Sequence, residues 1–137
     1  MTADLWILLS LVLLSEGLTL PPLIARGAAS EGVKWIFHNR DTELAGVAPW
    51  GGRAVRAHAN LADNLAMYAV VIGIAVATGA ANGVTLAAGL ALLAARILHA
   101  VVYIAGVPYL RTGVYAVAQI AMLTYVWQIA AHALVHA

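Results

Sequence analysis

The chain contains no cysteine. That excludes disulfides, a thiolate nucleophile and cysteine-bound metals, so any thiol chemistry must arrive on a ligand. Charge is scarce as well. Asp, Glu, Lys and Arg make up 9% of the sequence, against about 25% in an ordinary soluble domain. Hydrophobic residues fill the space instead, at 64% of 137 residues. A chain long enough for one domain has too little interior to hide so much apolar surface. Lipid must be the solvent for much of it. The net charge is +1, which gives no broad basic surface, and no nucleic-acid partner is expected.

A membrane-crossing helix needs roughly 20 mostly apolar residues. Four such stretches succeed one another, predicted at about 5–26, 53–80, 84–105 and 110–133. The first opens on Met-Thr-Ala-Asp, with no cationic region, and its apolar run is too long for a signal peptide. Pro21-Pro22 and then Arg26-Gly27 are expected to mark its exit. The segment 27–52 is the one long polar connection, ending in Pro49-Trp50-Gly51-Gly52, with Trp35-Ile36-Phe37 expected at the membrane interface. Ala81-Asn82-Gly83 reads as a tight turn, and Gly106-Val107-Pro108 as a helix break. No internal repeat or low-complexity tail is present. The expected fold class is all-α: one domain over 1–137, an integral membrane four-helix bundle.

The cations set an orientation. Arg26, Lys34, Arg40, Arg53, Arg56, Arg96 and Arg111 all lie in the 27–52 loop or where a single side can serve them. The N-terminus, the 81–83 turn and the C-terminus carry none. By the positive-inside rule both termini face outward, periplasmic in a bacterial inner membrane, and the cationic connections face the cytoplasm. The 12 glycines and many alanines let helices approach closely where no hydrophobic drive exists between them. Four helices make a thin bundle, so a homo-oligomer is expected.

The polar residues fall on helical faces. Arg53, Arg56, Asn60, Asp63 and Asn64 form one stripe about 100° wide at about 100° per residue. His58 points to the opposite side. Arg96, His99 and Tyr103 form a second stripe, and Arg111, Tyr115, Gln119 and Met122 a third. Taken singly, these residues are better explained by structure: arginines snorkel or hold anionic lipid, and amides and carboxylates join helices. Taken together they suggest a site, because charge at membrane depth is costly. Arginines beside a carboxylate and amides suit a small zwitterion, with Tyr103, Tyr115 and Thr112 as hydroxyl donors.

Three segments in order then carry a resemblance: Arg56-Ala-His58-Ala-Asn60-Leu-Ala-Asp63-Asn64, Arg96-Ile-Leu-His99-Ala-Val-Val-Tyr103, and Pro108-Tyr-Leu-Arg111-Thr112-Gly-Val-Tyr115. They resemble the successive signatures of the MAPEG family, the membrane-associated proteins of eicosanoid and glutathione metabolism. Asn39-Arg40-Asp41 is similar to bacterial members. The resemblance spans essentially the whole chain and is nearest to the microsomal glutathione transferases. It implies a homotrimer in the lipid bilayer, with glutathione between neighbouring subunits near the cytoplasmic side. Carried over residue by residue, Arg26, Arg56, Asn60, Asp63, His99, Tyr103 and Tyr115 would contact glutathione, with Asp63 meeting its ammonium. Arg111 would stabilise the thiolate beside Thr112. A thiol with pKa near 8.5 is mostly protonated at neutral pH, and a nearby guanidinium favours its thiolate. The chain departs from the family in three places. Asp63 stands where Glu is usual, Thr112 where some members have Ser, and Ala59 where prostaglandin E synthase has a second arginine.

Two residue sets lie outside the stripes. Glu16 falls mid-span, where an unpaired carboxylate costs about 2.5–3.5 kcal/mol on insertion scales; pairing with an arginine, a water-filled centre and protonation are the three ways to relieve that cost, and an inter-helix ion pair is the one hypothesised. His132 and His136 are one turn apart, but no third ligand is near, so no metal site is expected. The leading expectation is a membrane glutathione-dependent transferase or peroxidase acting on lipophilic small molecules. A second is a small proton-coupled exporter, since small multidrug exporters are also four-helix proteins with a lone Glu in the first helix. A third is a non-catalytic binder of glutathione or anionic lipid.

Overall fold

The computed structural model describes residues 1–136. Six helices run in order: α1 Ala3–Gly17, α2 Leu20–Gly27, α3 Gly32–Phe37, α4 Pro49–Ala77, α5 Gly83–Ala105 and α6 Pro108–His136. Four spans are long and apolar enough to cross a membrane: Ala3–Gly27, Pro49–Ala77, Gly83–Ala105 and Pro108–His136. The chain is therefore an all-α, multi-pass membrane protein, as its composition predicted.

The first span runs Ala3–Gly27 with Pro21-Pro22 inside it; the prolines interrupt the helix, which resumes as α2. Neither proline has an N–H to offer the carbonyls of Gly17 and Leu18, four residues earlier. The chain tightens there: the Thr19 N–H reaches Glu16 O at 3.1 Å and the Thr19 hydroxyl donates to the same oxygen at 2.7 Å.

The polar connection is shorter than 27–52. Val33 and Phe37 of α3 are exposed, the face an interfacial helix offers to headgroups. Helix α4 starts at Pro49 rather than near Arg53, because proline lacks only an N–H that the first helical turn leaves unpaired anyway. Gly51, expected in the loop, lies inside α4. A Cβ there would come within 2.5 Å of the Ala25 Cβ, so the glycine lets α2 and α4 touch.

The turn between α4 and α5 is built on Asn82. Its Oδ1 accepts from the N–H groups of Val84 and Thr85, and the Thr85 hydroxyl accepts from the Asn82 N–H at 2.8 Å. This capping box satisfies donors that the start of α5 leaves free. Between α5 and α6, Gly106 takes φ 85° and the Val107 N–H reaches back to Val102 O at 3.1 Å. A glycine at that left-handed position stops α5 cleanly, and Pro108 starts α6 at once. The near-absence of a linker makes α5 and α6 antiparallel neighbours, and they share the most extensive packing in the molecule.

Ile7 and Leu11 from α1, Leu61, Tyr68 and Ile72 from α4, Leu92 from α5, and Ala118, Met122 and Tyr125 from α6 form the buried core. Leu13, Val70, Leu90, Val101, Ile120, Leu123 and Trp127 point outward. In water such a surface would aggregate; in a bilayer it is the solvated face. The up-and-down order brings the start of α4, the end of α5 and the start of α6 to one end of the bundle.

Candidate functional site

That end holds a polar cleft. Asn60 of α4, His99 and Tyr103 of α5, and Arg111, Thr112 and Tyr115 of α6 line a cavity of about 240 Å³. Arg53, Arg56, Tyr103, Gly106, Val107, Pro108 and Arg111 line a second recess of about 140 Å³. Tyr103 and Arg111 belong to both, so the two recesses adjoin across one stacked pair. The Arg111 guanidinium carbon stands 4.6 Å from the Tyr103 ring centroid, a distance at which cation and π-face attract.

Helical periodicity explains why these residues meet. His99 and Tyr103 are one turn apart on α5, as are Arg111 and Tyr115 on α6. The aromatic rings make the walls: His99 stands 5.4 Å from Tyr103, edge to face, and 5.9 Å from Tyr115. The Gln119 amide donates to the Tyr115 hydroxyl, which leaves that hydroxyl's proton free for the cleft. The Thr112 hydroxyl donates to Pro108 O at 3.3 Å, so in this arrangement it offers lone pairs to the cleft rather than a proton.

The structure separates the polar residues picked out in the sequence. Asn60, His99, Tyr103, Arg111, Thr112 and Tyr115 converge on the cleft, and Arg56 adjoins it. Asp63 is exposed, one turn beyond Asn60, and has no ion-pair partner among the described residues. Arg26 lies elsewhere. With Trp35, Glu43, Leu44 and Val47 it lines a separate cavity of about 370 Å³. There Arg26 and Arg40 approach the Trp35 ring at 5.4 and 5.6 Å, and the Trp35 indole N–H donates to Thr42 O at 2.6 Å. Within one chain Arg26 therefore does not join Arg111.

Three members of the stripes serve structure. Arg53 donates through Nε to Ile104 O at 2.8 Å, tying the start of α4 to the end of α5. The Asn64 amide donates to Asn60 O at 2.7 Å. Arg96 is buried, 2% exposed, and holds Asn60 from behind: Nη1 donates to Asn60 Oδ1 at 3.0 Å and Nη2 to Asn60 O at 3.2 Å. Helical spacing placed Arg96 on the right face but carried no sign of its depth. Glu16 is exposed, and no cation pairs with it among the described residues; the one ion pair found there is Lys34–Glu31 at 3.1 Å. The ion pair expected for Glu16 is thus not made within the chain. No group of three metal-ligating side chains occurs among the described residues.

Four apolar spans with a cationic, aromatic-walled cleft at one end define a multi-pass membrane protein. The sequence profile of the MAPEG family matches residues 5–131. The chain belongs to the MAPEG family. No curated protein and no solved structure matches it.

Proposed function

We propose that the chain is a membrane glutathione transferase, or a glutathione peroxidase of the same site, acting on lipophilic electrophiles that enter from the bilayer. The observation that carries this reading is the convergence of Arg111, Asn60, His99, Tyr103, Thr112 and Tyr115 on one cleft in a member of a family named for glutathione metabolism. Glutathione bears two carboxylates, two peptide groups and an ammonium. Arg111 and Arg56, at the two recesses, suit carboxylates, and the Asn60 amide suits a backbone oxygen. Bound glutathione supplies the nucleophilic sulfur. Arg111 is assigned to stabilise it as thiolate, with Thr112 beside it, and His99, Tyr103 and Tyr115 are assigned to orient the peptide.

The assembly we propose is a homotrimer in which each cleft is closed by a neighbouring copy. Two features support it. Asp63 and Arg56 lie exposed on α4 beside Ala59, Ala62, Ala66 and Ala69, which are exposed too. A charged stripe next to small residues is costly against lipid and favourable against another helix. Arg26, remote from the cleft of its own chain, is free to serve a neighbour's, and Asp63 to meet the ammonium there. The single domain is placed with both termini outside and the cleft at the cytoplasmic side, following its cations. Export through Glu16 has less support, since Glu16 faces away from its own bundle.

Calorimetric titration of glutathione into the purified protein in detergent, beside Arg56→Ala, tests the reading. Saturable binding weakened by the substitution is expected, followed by turnover with an arylating electrophile. A folded, oligomeric protein that takes up no glutathione overturns it. Binding without turnover across a broad electrophile panel leaves a glutathione-binding protein and overturns the enzyme.

A further inference from the structure

Arg96 is the largest fully buried side chain in the molecule, and no carboxylate accompanies it among the described residues. A buried guanidinium with no counter-charge is costly and asks for a reason. Two of its three nitrogens are hydrogen-bonded, Nε is buried without a partner, and aromatic rings flank it. The guanidinium carbon lies 5.3 Å from the Tyr68 ring centroid and 5.6 Å from that of Tyr115. Its two outer nitrogens grip both oxygens of one residue, Asn60, across the α4–α5 contact.

That grip has a chemical consequence. A guanidinium only donates, so the Asn60 side-chain atom facing Nη1 must be its oxygen. The amide cannot flip without setting two sets of donors against each other. Asn60 Nδ2 has no protein partner among the described residues, and Asn60 lines the 240 Å³ cavity. The residue therefore presents donors alone to whatever occupies the cleft.

We infer that Arg96 is a positioning residue: it locks the Asn60 amide so that only N–H groups face the cleft, which selects an acceptor oxygen of the ligand, a carboxylate or peptide carbonyl. The ligand identity rests on the proposed glutathione function; the lock itself does not. The sequence alone suggests the opposite arrangement, with Arg96 in the binding stripe beside His99. The structure places it one layer behind, acting through Asn60.

Four variants separate the parts: Asn60→Asp, Asn60→Leu, Arg96→Met and Arg96→Lys. Asn60→Asp keeps an acceptor for Arg96 and adds charge to the bond, but turns the cleft-facing donor into an acceptor. It should melt in detergent at or above the wild-type temperature, whereas Asn60→Leu should melt lower. Its glutathione affinity should nevertheless fall roughly tenfold to a hundredfold, the scale of a lost hydrogen bond to a charged group made repulsive. Arg96→Met frees the amide to rotate, so KM for glutathione should rise about tenfold with kcat changed less; Arg96→Lys, which still donates to Oδ1, should recover part of that rise. Wild-type glutathione affinity in Asn60→Asp, or a wild-type KM in Arg96→Met, overturns the inference. If the wild type binds no glutathione, the ligand reading falls by itself, and the melting arm still decides: Asn60→Asp melting as low as Asn60→Leu overturns the lock.

Discussion

Tyr125 donates its hydroxyl to Asp4 Oδ1 at 2.8 Å, joining α6 to the first turn of α1 across 121 residues of sequence. Both side chains are buried, Asp4 at 5% exposure and Tyr125 at 0%. The bond lies at the end of the bundle opposite the cleft, where it fixes the chain's first helix against its last. Removing the donor strands a buried carboxylate. Tyr125→Phe should therefore destabilise the protein by about 1.5–3 kcal/mol, the range for hydrogen bonds to charged groups, read as a lower melting temperature in detergent. Asp4→Asn keeps an acceptor and sheds the charge, so its melting temperature should stay near wild type.

Gly89 sits at the same junction. A Cβ on it would stand 2.6 Å from the Tyr125 hydroxyl oxygen and 2.7 Å from Ile7 Cδ1. The absent side chain is what lets α1, α5 and α6 meet at one point. Gly89→Ala should cost about 1–3 kcal/mol, as overpacking of a filled core does. Gly113→Ala is the control. Nothing lies within 4 Å of its added Cβ, and a helical glycine replaced by alanine should gain up to about 1 kcal/mol. Equal melting of the two variants would show that the three-helix contact is loose.

Much of this was legible in the sequence where a local rule decided. Gly106 and Pro108 fixed the α5–α6 break because their backbones permit little else, and four apolar runs became four spans. Pro21-Pro22 showed only that the helix changes there, because a proline pair can end a helix or merely interrupt it. The residues beyond the pair decide, and Leu23 to Gly27 still had helix to make. Helical spacing grouped the residues of each stripe correctly. It could not give the rotation of one helix against another, so Arg53, Arg96 and Asn64 fell in the same stripes as the cleft residues although each bonds to its own bundle, at Ile104 O or Asn60. Asp4 was invisible for a related reason. An acid in the first turn of an apolar helix fits the helix dipole, and only Tyr125, on the last helix, reveals its partner.

The division within the α4 stripe can be measured. Arg53 donates its Nε to Ile104 O near the end of α5, whereas Arg56 is exposed beside the cleft. Arg53→Ala should lower stability by about 1 kcal/mol, the scale of a cation at a helix C-terminus, with glutathione affinity nearly unchanged at temperatures where it stays folded. Arg56→Ala should do the reverse, melting like wild type and losing glutathione affinity. Thermal unfolding and calorimetry on the same two preparations give both readouts. A loss of affinity in Arg53→Ala as large as in Arg56→Ala would place both arginines on the ligand.

Arg111 carries the heaviest assignment, and pH tests it. A free thiol titrates near 8.5. If Arg111 favours the thiolate, bound glutathione titrates below that value, and the rate of conjugation rises with pH through this lower value. Arg111→Ala should cut kcat, measured at saturating glutathione, by about 10²–10³-fold near neutral pH, the scale for removing a group that stabilises developing charge. Its rising limb should also shift upward towards 8.5, because the thiolate is then no longer stabilised. The deficit should accordingly shrink as pH climbs past 9 and free ionisation takes over. Arg111→Lys should fall between the two, keeping the charge but losing the planar stack on Tyr103 that stands at 4.6 Å. A deficit of the same size at every pH would mean that Arg111 binds the peptide and leaves the sulfur untouched.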